Sequence, residues 1–288
     1  MQSLFRWLSR WPLPLVHALG GWIGWAAYLL SPTYRRRFEA HVLQAAVPRA
    51  AARRAVAEAG RMAAELPRLW LRGSGSVPLR CEGMAHVEAA LAEGRGLVLL
   101  TPHLGCFEVT AQAYAAAHGA RHPITVMYRP ARQPWLREIM AGSRDRPGLA
   151  AVPADLGGVR SMMRALKRGQ VVGLLPDQVP PEGMGAWAPF FGRPAYTMTL
   201  AARLVQQSGA ALLLCWGERL PRGAGYVVHF LPFDEALPAD ADAQAESAAA
   251  VNRAMERLIR QAPQQYLWGY HRYKAPRATV SEPPAKSA

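Results

Sequence analysis

The chain has 288 residues, 51% of them apolar, which is core material for one large α/β domain or two small ones. Lys and Arg outnumber Asp and Glu by 34 to 20, and the net charge of +14 fits either a soluble basic protein or one with an anionic partner: anionic lipid, nucleic acid or an acidic carrier protein. The three cysteines, Cys81, Cys106 and Cys215, are too few and too scattered for a disulfide framework or a zinc site, and they fit a reducing compartment.

The stretch from Trp11 to Ser31 holds no Asp, Glu, Lys or Arg, and Arg6, Arg10, Arg35, Arg36 and Arg37 flank it. About 20 apolar residues span a bilayer, and Trp7, Trp11, Trp22, Trp25 and Tyr28 suit the headgroup level. Pro12, Pro14, His17, Gly20, Gly21 and Gly24 weigh against a deep span. Spanning and interfacial geometries fit equally, and either makes residues 1–32 a membrane anchor. No small-x-small site follows, which argues against a cleaved signal peptide, and the arginine cluster favours keeping the main body on the cytoplasmic side.

Thr33 to Val47 and Arg49 to Leu71 read as two helices separated by Pro48. Gly73 to Ser76 reads as a flexible joint that closes a helical segment over 33–76. From Pro78 the signals alternate. Strands are expected at Pro78–Glu82, Leu97–Leu100, Ile124–Tyr128, Val171–Leu175, Ala211–Trp216 and Tyr226–Leu231. Helices are expected at Ala85–Glu93, Val109–His118, Trp135–Ser143, Val159–Lys167, Tyr196–Ser208 and Ala243–Gln261. The alternation predicts an α/β fold with a largely parallel central sheet flanked by helices, over 77–274. The Pro-, Ser- and Ala-rich tail, 275–288, reads as disordered.

The most informative stretch is Leu97-Val-Leu-Leu-Thr-Pro-His-Leu-Gly-Cys-Phe-Glu108. A continuous apolar run reads as a buried parallel strand, and it ends in His103 at a strand-to-helix turn, where α/β proteins place their chemistry. On a continuous helix His103 and Glu108 would point about 140° apart. Pro102 and Gly105 favour a turn that folds the carboxylate back onto the imidazole, which makes a general base. Two more strand ends carry polar residues: Arg129 in Tyr128-Arg-Pro130, and Asp177 in Pro176-Asp-Gln178. Alone, Arg129 equally fits a surface salt bridge and Asp177 a turn cap. If the strands run parallel, all four residues converge on one sheet edge. Cys106 as a nucleophile is the competing reading, although a thiol beside Phe107 is more simply a small core residue.

The loop Pro180–Pro194 carries Trp187, Phe190 and Phe191. Core plugging is the better reading for the two phenylalanines, and lipid contact for Trp187. The segment Gln265-Tyr-Leu-Trp-Gly-Tyr-His-Arg-Tyr-Lys274 suits RNA, headgroup contact or a cover over the sheet equally well.

Taken together, HLGCFE, YRP, LLPDQ followed by PFFG, and QYLWGYHRYK resemble the bacterial lipid A late acyltransferases, the lauroyl and myristoyl transferases within the lysophospholipid acyltransferase superfamily. The likeness runs from the N-terminal apolar segment to about Lys274. It implies an α/β acyltransferase on the cytoplasmic face of the inner membrane. The implied reaction moves a fatty acyl group from acyl carrier protein to a hydroxyl of an anionic lipid A precursor, with neither metal nor other cofactor and no nucleic acid. It further implies His103 as general base, Glu108 as its orienting acid, and Arg129 and Asp177 in substrate binding. Two departures, Ala131-Arg-Gln133-Pro134 after YRP and Pro263-Gln-Gln-Tyr266 before the terminal block, bear on the acceptor and leave the His/Glu pair untouched. The alternatives are the same fold acylating a lysophospholipid or another glycolipid, and a non-catalytic membrane protein that binds anionic lipid or nucleic acid.

Overall fold

The fold was determined as a computed structural model that describes residues 2–129, 131, 133, 135–137, 139–140 and 146–277. The first five helices are α1 (Gln2–Leu8), α2 (Leu13–Leu30), α3 (Pro32–Gln44), α4 (Arg49–Ala64) and α5 (Leu66–Arg72). The single helix expected from Arg49 to Leu71 is broken at Glu65, because Pro67 has no N–H to continue the ladder and is tolerated only in the first turn of a new helix. Ser74–Ser76, expected as a free joint, forms a short 3-10 turn whose Ser74 N–H donates to the Gln112 side chain at 2.7 Å.

The remaining elements are β1 (Leu79–Glu82), α6 (Met84–Ala92), β2 (Leu97–Leu100), α7 (Glu108–His118), β3 (Ile124–Tyr128), β4 (Leu149–Pro153), α8 (Leu156–Lys167), β5 (Val171–Leu174), β6 (Gly185–Phe190), β7 (Arg193–Met198), α9 (Leu200–Ser208), β8 (Ala211–Arg219), β9 (Tyr226–Pro232) and α10 (Gln244–Gln261). Seven strands form one sheet in the order β1-β9-β8-β2-β5-β3-β4. Every pairing is parallel except β8 with β9, so the expected largely parallel α/β sheet is present. Strands β2 and β5 sit at its centre and are buried throughout, as continuous apolar runs covered on both faces must be.

Two apolar layers sandwich the sheet. One joins Val98, Leu100, Val172 and Leu174 to Met162, Leu204 and Met255, and to Phe38, Ala55 and Val56 of α3 and α4. The other joins Leu97, Leu99 and Val171 to Val87, Val109 and Tyr114. Residues from the expected helical segment 33–76 thus belong to the same core as the sheet.

Three elements differ from expectation. Strand β4 has no counterpart among the expected strands, since Ala150 and Ala151 carry little strand signal. The loop Pro180–Pro194 is largely the hairpin β6–β7, turning on Phe191 (φ +46°) and Gly192 (φ +74°). Pro189 faces Pro194 across it, which an isolated two-stranded ribbon with free edges tolerates. The helix expected from Tyr196 therefore starts only at Leu200. Residues 135–137 and 139–140 are helical, whereas 141–143 of that expected helix lie outside the described residues, as do Pro130, Arg132 and Pro134. Residues 278–288 of the expected disordered tail also lie outside them.

Candidate active site

Strands β2, β5 and β3 are neighbours and run parallel, so their carboxyl ends open on the same edge. His103 follows β2, Asp177 follows β5 and Arg129 follows β3. Together with Glu108, the first residue of α7, His103 and Arg129 line a cavity of about 710 Å³. Its other walls are mostly apolar: Trp70, Met127, Leu156, Val159, Met184, Met198 and Leu200 among them.

The carboxylate that meets the imidazole is Asp177. Its Oδ1 lies 2.7 Å from His103 Nδ1, and its Oδ2 accepts the His103 backbone N–H at 2.9 Å. Asp177 is buried, and burial alone would raise its carboxyl. The His103 ring beside it and the two hydrogen bonds from His103 outweigh that cost, so the carboxyl is held below its ordinary range. An ionised Asp177 accepts only, so Nδ1 carries the ring proton and Nε2 is left with its lone pair. Gln178 places its amide nitrogen 2.9 Å from that Nε2 and donates to it. The carboxylate in contact with Nδ1 thus comes from a residue 74 positions away, and Glu108, expected to orient the ring, lines the same cavity at the positive end of α7.

The turn bearing His103 is held from three sides. Gly105 has φ +59°, and a Cβ there would lie 1.9 Å from the Gly217 carbonyl oxygen. Its N–H donates to the Gln265 carbonyl at 3.0 Å, and that of Cys106 donates to the Gly217 carbonyl at 2.7 Å. Leu267 N–H donates to the His103 carbonyl at 3.1 Å. The terminal aromatic block therefore closes over the turn: Tyr266 and Trp268 are buried, and Tyr266 pairs with Leu104. The N–H groups of residues 103 to 106 are all engaged locally, and Arg129 and Arg203 are the cationic side chains among the described residues that line the cavity.

Behind the turn lies an ionic cluster that no local motif announced. The buried Arg219 guanidinium donates to the Gly105 carbonyl at 3.0 Å, to Glu65 through Nε at 2.9 Å and Nη2 at 2.6 Å, and to Glu58 at 2.6 Å. Tyr226 also donates to Glu65, at 2.9 Å, and His17 of α2 approaches the same carboxylate at 3.3 Å. Burial raises the Glu65 carboxyl, but Arg219 and His17 overcome it and bring it down to about 2. A second buried cation, Arg272, donates to the Tyr196 carbonyl and the Thr197 hydroxyl under the hairpin.

Cys106 is 1% exposed within the apolar layer, and burial pushes its thiol well above the ordinary value. A thiol kept protonated is a poor nucleophile. Phe190 and Phe191 are buried, as core plugs are, while Trp187 is half exposed.

A histidine–carboxylate pair at the carboxyl ends of parallel strands, opening on a mostly apolar cavity, defines the class: an α/β protein whose candidate site lies at the carboxyl edge of its sheet. Residues 14–275 match the family model described as bacterial lipid A biosynthesis acyltransferase, and the chain belongs to that family. It is 32% identical over 193 residues to a lipid A biosynthesis lauroyltransferase of Escherichia coli (strain K12), and 28% identical over 194 residues to a lipid A biosynthesis palmitoleoyltransferase of the same strain. Each alignment covers 67% of this chain and 60% of the relative. A phosphatidylinositol mannoside acyltransferase of Mycobacterium tuberculosis (strain ATCC 25618 / H37Rv) is 30% identical over 153 residues, 51% of this chain and 46% of that protein.

Proposed function

We propose that the chain transfers a fatty acyl group from an acyl carrier protein thioester to a hydroxyl of a lipid A precursor, at the cytoplasmic face of the inner membrane. The observation that carries this reading is the 2.7 Å contact between Asp177 and His103 Nδ1, which points a basic Nε2 at an apolar cavity. An acceptor hydroxyl has a pKa far above 7 and needs its proton removed as it attacks. It displaces the Gln178 amide from Nε2 and gives that proton to the ring. Its oxygen bonds to the thioester carbonyl carbon, and the carbonyl electron pair moves onto oxygen. Collapse re-forms the carbonyl and breaks the C–S bond, and the imidazolium returns its proton to the departing thiolate.

Each residue has a role in this scheme. Asp177 fixes the ring tautomer and stabilises the imidazolium by direct contact. Glu108 adds negative field from the first turn of α7. Arg129 stabilises the oxyanion or holds an acceptor phosphate. The apolar walls take the acyl chain. Helix α8 starts at the cavity with Leu156 and Val159, and its exposed side carries Arg160, Arg164 and Lys167, with Arg168 next in the chain, a surface suited to an acidic carrier.

A second acceptor, another glycolipid, is favoured by one observation. The mannoside acyltransferase matches this chain about as closely, residue for residue, as the lipid A enzymes do. The discriminating experiment offers acyl carrier protein thioester and either a lipid A precursor, a lysophospholipid or a mannosylated phosphatidylinositol to the purified protein. Products are read by mass spectrometry. The proposal expects acylated lipid A precursor; acylation of another acceptor alone overturns the acceptor, and no transfer to any overturns the chemistry.

A further inference from the structure

Helix α2 has two unlike sides. Leu15, Trp22 and Leu29, seven residues apart, fall on one stripe, and Ala18, Leu19, Ile23, Ala26 and Leu30 flank it. This side is apolar from end to end and open, with Trp22 77% and Leu30 82% exposed. The opposite side is buried and consists of Leu13, Val16, His17, Gly20, Gly21 and Gly24.

The buried side is fastened to the body along its whole length. At the amino end, a Cβ on Gly223 would fall 2.5 Å from the Pro14 nitrogen. In the middle, Gly20 and Gly24 touch α4, where a Cβ on Gly60 would fall 2.0 Å from the Gly20 carbonyl oxygen. Beside them, Arg61 Nε donates to the His17 carbonyl at 3.2 Å, and the His17 ring enters the Glu65 cluster. At the carboxyl end, the Tyr28 hydroxyl donates to Glu39 of α3 at 2.6 Å.

By length and composition alone α2 is long and apolar enough to cross a membrane. Its packing opposes that. The partner helix α4 exposes Arg49, Arg53 and Arg54. To cross, α2 would have to leave the glycine seam and withdraw His17, or else carry those guanidiniums into hydrocarbon.

We infer that α2 is an in-plane anchor whose Leu15–Trp22–Leu29 stripe sinks into one leaflet of an anionic bilayer, without crossing it. The charge agrees: residues 1–64 hold nine arginines against two glutamates, half of the net +14. The site adjoins this surface. Leu4 and Trp7 of α1 are also exposed, and Phe5 of α1 packs on Trp70, a wall of the site cavity, with ring centroids 6.0 Å apart. A lipid acceptor lying in the leaflet thus reaches the cavity without leaving the interface.

The inference rests on the membrane part of the proposed function and is independent of its chemistry. The test is nitroxide depth measurement on the full chain, bound to vesicles of phosphatidylethanolamine and phosphatidylglycerol. Labels go on Leu15→Cys, Trp22→Cys and Leu29→Cys, one at a time, in a Cys81→Ser background. All three positions are solvent-exposed, so the fold tolerates them. The expected result is one shared depth, to within about one helical turn, ~5 Å. Trp22→Asp is expected to weaken vesicle binding at least ~10-fold. A depth that changes steadily from Leu15 to Leu29, which lie about 21 Å apart along the helix, overturns the in-plane geometry. Absence of vesicle binding overturns the membrane surface itself, while acyl transfer to a detergent-dispersed acceptor reports separately on the chemistry.

Discussion

Asp177 holds His103 twice, through the ring at Nδ1 (2.7 Å) and through the backbone N–H (2.9 Å). One carboxylate therefore sets both the tautomer of the imidazole and the position of the residue that carries it. Asp177→Asn removes the charge and lets the ring take the wrong tautomer. The expected loss in kcat is about 10³–10⁴-fold. Glu108→Gln, which leaves that contact intact, is expected to cost only about 10–100-fold. Steady-state transfer kinetics on the two purified variants check the order. A Glu108 effect larger than that of Asp177 would assign the orienting role to Glu108.

Gly105→Ala is expected to disable the turn. Its left-handed backbone disfavours a side chain, and the new Cβ meets the Gly217 carbonyl oxygen at 1.9 Å. The expected cost is about 2–4 kcal/mol of stability together with loss of turnover. Thermal unfolding and transfer rate, measured on the same preparation, report both.

Acid stability depends on the cluster behind the turn. The Glu65 carboxyl is held down at about 2, against 4.5 when free. A depressed carboxyl contributes stability above its unfolded value and loses it as pH falls through the folded one. The Glu65 contribution, on the order of 3 kcal/mol, is therefore complete above about pH 4.5 and fades towards pH 2. Asp177 acts in the same direction. Glu65→Gln should lower stability at neutral pH, because it leaves Arg219 short of a buried partner. The same substitution should flatten the acid limb of a stability–pH curve measured by urea unfolding. An unchanged acid limb would show that the cluster does not carry this dependence.

Cys106→Ala is expected to be nearly silent in transfer, within about twofold, and to cost roughly 1 kcal/mol of packing. The thiol is buried and held protonated, and it lies in the apolar layer under the turn. Loss of activity in a folded Cys106→Ala protein would favour the thiol as nucleophile.

The sequence made the sheet edge legible and left its pairings hidden. His103, Arg129 and Asp177 stand out because each ends an apolar run, and a polar group after a buried strand is conspicuous. Which carboxylate meets the imidazole depends on β2 lying beside β5, and no local pattern encodes strand order. Arg219 and Glu65 are 154 residues apart and look like any other surface charges until the fold buries them together. The β6–β7 hairpin was hidden by Pro189 and Pro194, which read as loop although their free edges permit them in strands.

The proposed chemistry depends most directly on the imidazole of His103. Its test is the rate of acyl transfer from acyl carrier protein to a lipid A precursor by folded His103→Ala protein, against wild type, at neutral pH. The expected result is a loss of at least about 10³-fold, because the acceptor hydroxyl then has no base to take its proton. Turnover close to that of wild type would contradict it.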